Sequence, residues 1–229
     1  MTRIVLVHGA YQGGWIWRDV AALLRGQGHD VRAPTLDGCA ERAGTLRPGI
    51  TTETHADELA RLLFYEDLTD VTLVGTSTGG MALARAAETA PDRVGRLVLL
   101  DALALLPGEA VSAIVDRRNA VTTTLATGPT RADAETRLFA DLPPATRAWA
   151  LERTTPHPRA VLEAPVILDR FWDLPWRARV VRCRRSVNPP EAHQRRAAAR
   201  LSAEYVELDT GHYPMLSLPA ETAALIAAA

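Results

Sequence analysis

Val71-Thr72-Leu73-Val74-Gly75-Thr76-Ser77-Thr78-Gly79-Gly80 decides how this chain is read. Val71 to Gly75 is a short β-branched run that predicts a buried strand. Gly79 to Ala90 predicts a helix of small residues, ended by Pro91. Between them lies Gly75-x-Ser77-x-Gly79. A bend that tight brings neighbouring backbones close, which calls for glycine two positions either side of the serine. A serine there is strained, its hydroxyl stands exposed beyond the strand end, and the helix N-terminus adds a positive dipole. The bare pattern recurs by chance in Gly/Ser/Thr-rich turns. The strand before and the helix after make Ser77 a candidate nucleophile.

The alternation continues on both sides. Short runs at Ile4–Val7, 29–34, 97–100, 180–183 and 205–208 predict further strands. Helical spacing covers about 17–25, 51–66 with Thr51 or Thr52 as cap, 190–200 and 218–228. Strand alternating with helix means an α/β fold: a mostly parallel sheet of about six strands with helices on both faces. Residues from about 107 to 178 break the pattern with helical stretches, prolines and no clear strand. They are expected to form a helical cap, 107–178, inserted in a core made of 1–106 and 179–229.

Composition narrows the function. The 229 residues are 47% hydrophobic and 23% charged, the balance of an ordinary globular domain. The 26 basic and 27 acidic residues leave a net charge of −1, which argues against nucleic acid or an anionic membrane as partner. Every basic residue is arginine, so Schiff-base and P-loop lysine chemistry is excluded. Cys39 and Cys183 are too few for a disulfide framework. No run approaches the ~20 apolar residues of a membrane span, and the start lacks a secretory pattern. A cytoplasmic protein without metal or organic cofactor is expected. Its expected partner is a small apolar molecule, with a homodimer left open.

A serine hydroxyl needs a base, and an imidazole has a pKa near ambient pH. His212, in Gly211-His212 after the last predicted strand, lies C-terminal to Ser77 as the chain order of such sites requires. His29, His55, His157 and His193 fall in predicted loops or on polar faces and read as solvated; His8 precedes Ser77. The loop His8-Gly9-Ala10-Tyr11 can aim a backbone N–H at the site. The amides of Ala10 and Thr78 are the candidate oxyanion hole, where one donor contributes roughly 2.7–4 kcal/mol. Gly9, Tyr11 and Thr76 flank the site and are candidate substrate contacts. Phe139, Trp149, Phe171, Trp172 and Trp176 read mainly as cap core, with Trp149 and Trp172 as the candidate substrate wall. Arg117 and Arg118 form a solvated face or reach an acidic substrate.

These residues resemble an α/β-hydrolase, and more closely the esterase and hydroxynitrile-lyase family that includes plant methylesterases. The resemblance rests on Val5-Leu6-Val7-His8-Gly9-Ala10, Gly14-Trp15-Ile16-Trp17, the serine bend, Leu100-Asp101-Ala102, Thr155-Pro156-His157-Pro158 and Gly211-His212-Tyr213-Pro214-Met215-Leu216. It covers almost the whole chain. The lyases of this family carry threonine in the first loop and lysine after the catalytic histidine. Here those places hold Gly9 and Tyr213, which favours the esterase branch.

One family feature is missing. The acid that orients the histidine is expected in the loop after the strand at 180–183, yet Arg184-Arg185-Ser186-Val187-Asn188-Pro189-Pro190-Glu191 has no aspartate before its prolines. Three readings stay open: Asp101 takes the role from the tip of the preceding strand, Glu191 or Asp209 takes it, or no acid is present. Asp101 is preferred. The expected reaction is hydrolysis of a small or medium apolar ester, thioester or lactone by Ser77 and His212. A cyclase or lyase on the same scaffold, in bacterial secondary metabolism, and a catalytically inactive ligand-binding protein are the alternatives.

Overall fold

The computed structural model describes residues 1–115 and 120–229; Arg117 and Arg118 lie outside the described residues. Six strands make one sheet: β1 (Arg3–Val7), β2 (Asp30–Arg32), β3 (Val71–Ser77), β4 (Val94–Ala102), β8 (Ala178–Cys183) and β9 (Glu204–Leu208), in the order β2-β1-β3-β4-β8-β9. Every neighbouring pair is parallel, for example Leu73 beside Leu97 and Val180 beside Tyr205. Parallel strands need covering on both faces, which is why the central ones read as continuous apolar runs. Val5, Val7, Leu73, Leu97, Leu99 and Val180 pack on one face against Ala56, Leu59 and Leu63 of α2 (Thr52–Tyr65) and against α3 (Gly79–Thr89). Ile4, Leu6, Val74, Val98, Leu100 and Val181 pack on the other against Val20 and Leu24 of α1 (Arg18–Gly26) and the helix Pro219–Ala227. Thr51 is the N-cap of α2, and its N–H donates to Thr54 Oγ1 at 3.2 Å.

The chain leaves β1 toward β2 on one side and returns to β3 on the other. Ligands of open α/β sheets bind at the carboxyl ends of strands at such a reversal. The ends of β1, β3 and β4 carry Gly9, Ser77 and Asp101 there.

The segment between β4 and β8 departs from its sequence reading. It holds the helices Pro144–Leu151 and Arg159–Glu163, but also a three-stranded antiparallel sheet, β5 (Ala120–Thr122), β6 (Ala126–Pro129) and β7 (His157–Pro158). Strands of 3, 4 and 2 residues, rich in Thr, Gly and Pro, leave no apolar alternation to read. Among the described residues no helix is long and apolar enough to cross a membrane.

Candidate active site

Ser77 ends β3 at φ +50, and α3 begins two residues later. Non-glycine residues with such φ cost roughly 1–3 kcal/mol and persist where the surroundings over-determine them. Here the surroundings are backbones in contact. A Cβ on Gly79 would stand 2.6 Å from the His8 carbonyl oxygen, one on Gly75 2.9 Å from the Gly79 oxygen, and one on Gly80 2.6 Å from the Leu103 oxygen. Leu103 N–H also donates to Ser77 O at 2.8 Å. Tyr11 (φ +70) and Asp101 (φ +46) share the left-handed conformation, so three strained residues from three strand ends converge here.

The first loop touches the serine directly. A Cβ on Gly9 would lie 2.6 Å from Ser77 Cβ and 3.3 Å from its Oγ, so only glycine lets this backbone approach. His8 braces the loop from below. Its Nδ1 faces the Gly9 oxygen at 2.8 Å, and a carbonyl only accepts, so Nδ1 carries the proton. Its Nε2 then accepts from Leu36 N–H at 3.0 Å. Burial pushes its pKa down to about 4, which makes His8 a neutral strut rather than a base.

His212 and Asp101 meet. Nδ1 of the imidazole lies 2.6 Å from Asp101 Oδ2, across 111 positions of sequence. Asp101 has no accessible surface. Its Oδ1 accepts from Cys183 N–H and from Gln194 Nε2, each at 3.1 Å. With Nδ1 engaged, Nε2 is the ring nitrogen left to exchange a proton elsewhere. The loop carrying His212 is gripped in turn, because Gly211 N–H donates to Asp141 Oδ2 at 3.0 Å. The other two candidates for the acid lie elsewhere. Glu191 opens the helix Glu191–Arg200 and pairs with Arg195 and Arg182; Asp209 pairs with Arg184 and Arg185 on the surface.

A narrow cavity of about 70 Å³ is lined by Ser77, His212, Ala10, Thr78 and Tyr11, with apolar walls from Leu103, Val111, Leu138 and Leu162. Gly9 lies behind its wall, and Thr76 is wholly buried beside the serine. Trp149 and Trp172, expected as a substrate wall, are not among the residues that line this cavity. Trp149 packs edge-on against Trp15 with Arg18 and Arg153 over its ring; Trp172 packs on Phe171 and donates Nε1–H to the Leu105 oxygen at 3.2 Å. Amphipathic rings at the margin of an insert bury their faces against neighbours before they reach a cavity. His55, His157 and His193, expected as solvated, are buried. His193 Nε2 accepts from Ala104 N–H at 3.0 Å, and burial pushes its pKa down to about 4. His157 lies 3.4 Å from the Cys39 sulfur, and burial pushes that thiol up to about 12.

Several residues of the site carried little or no signal in sequence. Arg137 lines the cavity and is held by Asp133, Nε to Oδ1 at 2.8 Å and Nη2 to Oδ2 at 2.6 Å; only the i, i+4 spacing of the pair hinted at it. Tyr213, Asn188 and Pro189 complete the wall, and burial pushes the Tyr213 hydroxyl up. Gln194 sits in an Arg- and Ala-rich helix with no apolar residue larger than alanine to mark its buried face. Among the described residues no group of three or more His, Cys, Asp or Glu is arranged to hold a metal ion.

A serine on a strand-to-helix bend, a histidine from a late loop and an aspartate beneath it, on a parallel sheet covered on both faces, define the α/β-hydrolase class. The profile of the alpha/beta hydrolase family matches residues 4–225, and the chain belongs to that family. It is similar to the carbendazim-hydrolysing esterase of Nocardioides sp. (strain SG-4G), 40% identical over 117 residues, 51% of this chain and 48% of that protein. It is also similar to methylesterase 8 of Arabidopsis thaliana, 36% identical over 91 residues, 39% of this chain and 34% of that protein. The matched stretches thus span about half or less of these relatives. An extracellular α/β-hydrolase from a Paenibacillus species superposes with a TM-score of 0.86 at 20% identity, covering 100% of this chain and 99% of that one, a likeness of fold.

Proposed function

We propose that this protein is a carboxylic ester hydrolase whose substrates are small or medium apolar esters, thioesters or lactones. Ser77 attacks the acyl carbon, and His212 takes the hydroxyl proton and returns it to the leaving group. Asp101 holds the imidazole in the tautomer that leaves Nε2 open. The amides of Ala10 and Thr78 receive the oxyanion. The acyl group on Ser77 is then released by water, which His212 deprotonates.

The observation that carries this reading is the 2.6 Å contact between His212 Nδ1 and Asp101 Oδ2 beneath a cavity onto which Ser77 also opens. The esterase names of the relatives support the reaction class. The apolar lining supports an apolar acyl or alcohol group.

A fluorophosphonate should label Ser77, and p-nitrophenyl acetate should give a burst of product that Ser77→Ala abolishes. Labelling without turnover, with another activity surviving Ser77→Ala, would instead assign acid–base chemistry to His212 alone. Neither labelling nor turnover, with tight binding of an apolar ligand, would make the chain a binding protein.

A further inference from the structure

A buried glutamine, Gln194, stands beside the acid. Asp101 can hold the imidazole only if its carboxylate does not pivot about the Cβ–Cγ bond. One oxygen, Oδ2, faces His212 Nδ1 at 2.6 Å; the other, Oδ1, needs donors of its own. The first donor is the backbone N–H of Cys183 at 3.1 Å, which the end of β8 supplies whatever side chain stands at 183. The second is Gln194 Nε2, also at 3.1 Å.

Gln194 is wholly buried, on the first turns of the helix Glu191–Arg200. Its Oε1 is buried without a hydrogen-bond partner among the described residues. A buried acceptor left unmade costs free energy that a leucine or methionine of similar size would not. Turning the amide over does not help, because it would set Oε1 against a carboxylate oxygen, acceptor on acceptor. The amide is therefore a poor choice for packing, and the one thing it supplies is the N–H directed at Asp101. The helix is fixed for that reach by its neighbours. His193 accepts from Ala104 N–H at 3.0 Å, and Arg196 holds Glu109 through two contacts of 2.7 Å, both on the segment that follows Asp101.

We propose that Gln194 is a positioning residue: it fixes the Asp101 carboxylate so that one oxygen stays on His212. The proposal rests on the serine-hydrolase reading and adds a residue to it. The chemistry predicts an asymmetry between replacements. Leucine or methionine removes the donor. Glutamate places a second carboxyl beside Asp101, and two carboxyls in one site share a proton whose release is shifted upward. Protonated, Glu at 194 donates O–H to Asp101 much as the amide does; ionised, it repels Asp101. The groups around the pair are His212, the Cys183 thiol (pushed up by burial), His193 (pushed down to about 4 by burial), Arg196 and Glu109. Once the added carboxyl ionises, the loss relative to wild type should deepen as pH rises.

The test measures kcat and KM of wild type, Gln194→Leu, Gln194→Met and Gln194→Glu on p-nitrophenyl acetate from about pH 5 to about pH 9. Leu and Met variants should lose about 10- to 100-fold in kcat with KM within about twofold, the scale of lost orienting partners. The Gln194→Glu to wild-type ratio of kcat should fall about tenfold or more across that range. The change of this ratio with pH compares each preparation with itself, so a constant unfolded fraction of the variant cancels, and far-UV circular dichroism at each pH checks that the fraction is constant. A Leu variant within about threefold of wild type, or a Glu ratio flat with pH, overturns the proposal. If the wild type turns over no ester, the functional reading fails rather than this one, and the low-field proton line of His212 Nδ1–H becomes the readout. That line should shift or broaden in Gln194→Leu; an unchanged line overturns the proposal independently of turnover.

Discussion

Asp101 and Glu88 are buried carboxylates at the ends of adjacent elements, β4 and α3, and they meet the same difficulty with different partners. A carboxylate removed from water must collect donors. Glu88 Oε1 accepts from three successive backbone N–H groups, Asp169, Arg170 and Phe171, and Oε2 pairs with Arg85 at 2.7 Å. All its partners are fixed, so it can only tie the returning segment before β8 to α3. Asp101 has two fixed donors on one oxygen and, on the other, an imidazole that reaches the cavity. Burial and hydrogen bonding make both carboxylates structural. What sets Asp101 apart is that one partner can itself gain and lose a proton.

The comparison breaks or sharpens by experiment, and the largest effect belongs to Asp101. Asp101→Asn should lower kcat by about 10⁴-fold, the scale of the same change in a serine protease, where the amide favours the wrong imidazole tautomer. Steady-state kinetics check it, and a variant near wild type would remove Asp101 from the mechanism. Glu88→Gln should do the reverse. It should cost roughly 2–3 kcal/mol of stability in urea melts, as lost charge-assisted hydrogen bonds do, while the folded enzyme keeps kcat within about threefold. A catalytic loss as large as that of Asp101→Asn would erase the distinction.

The same pair separates by pH. Burial alone would raise the pKa of Glu88, but the Arg170 N–H, the Arg85 guanidinium and the N–H groups of Asp169 and Phe171 outweigh it, and the net direction is down. A carboxylate depressed in the folded state contributes fully above its unfolded value and loses that contribution as pH falls through the folded one. The stability gap between wild type and Glu88→Gln should therefore hold near neutral pH and close as pH drops below about 4.5, the ordinary glutamate value. Urea midpoints at stepped pH check this, and a gap independent of pH would contradict it.

The smallest effect belongs to the loop where a family acid is missing. Asn188 lines the cavity, and its carbonyl accepts from Ser186 Oγ at 3.1 Å, but among the described residues the hydrogen-bond partner of His212 is Asp101 and not Asn188. Asn188→Ala should change kcat by less than about threefold, the range of substitutions away from key partners. A loss of the Asp101→Asn size would return the acid's role to this loop.

Much of the fold was legible because central parallel strands are buried on both faces and so leave unbroken apolar runs, as in Val5-Leu6-Val7 and Leu97-Val98-Leu99-Leu100. The serine bend was legible because contacts closer than 3 Å at Gly75, Gly79 and Gly80 leave no room for a side chain. The insert was not, since β5 to β7 are too short to show a period and the partners of Trp149 and Trp172 come from distant parts of the chain. Arg137 and Gln194 carried no signal, because a charged or amide side chain on a polar helix has no local mark of burial.

By itself the sequence determined the parallel sheet, the bend at Ser77 and the histidine that follows the last strand, because each is written in neighbouring residues by steric and hydrophobic rules that act locally. Which of the three candidate acids meets that histidine, what holds it there and which walls close the cavity were decided only in three dimensions. Those choices pair groups as far apart as 111 positions, and only the register of β4 beside β8 and the path of the helix after β8 bring them within a hydrogen bond of each other.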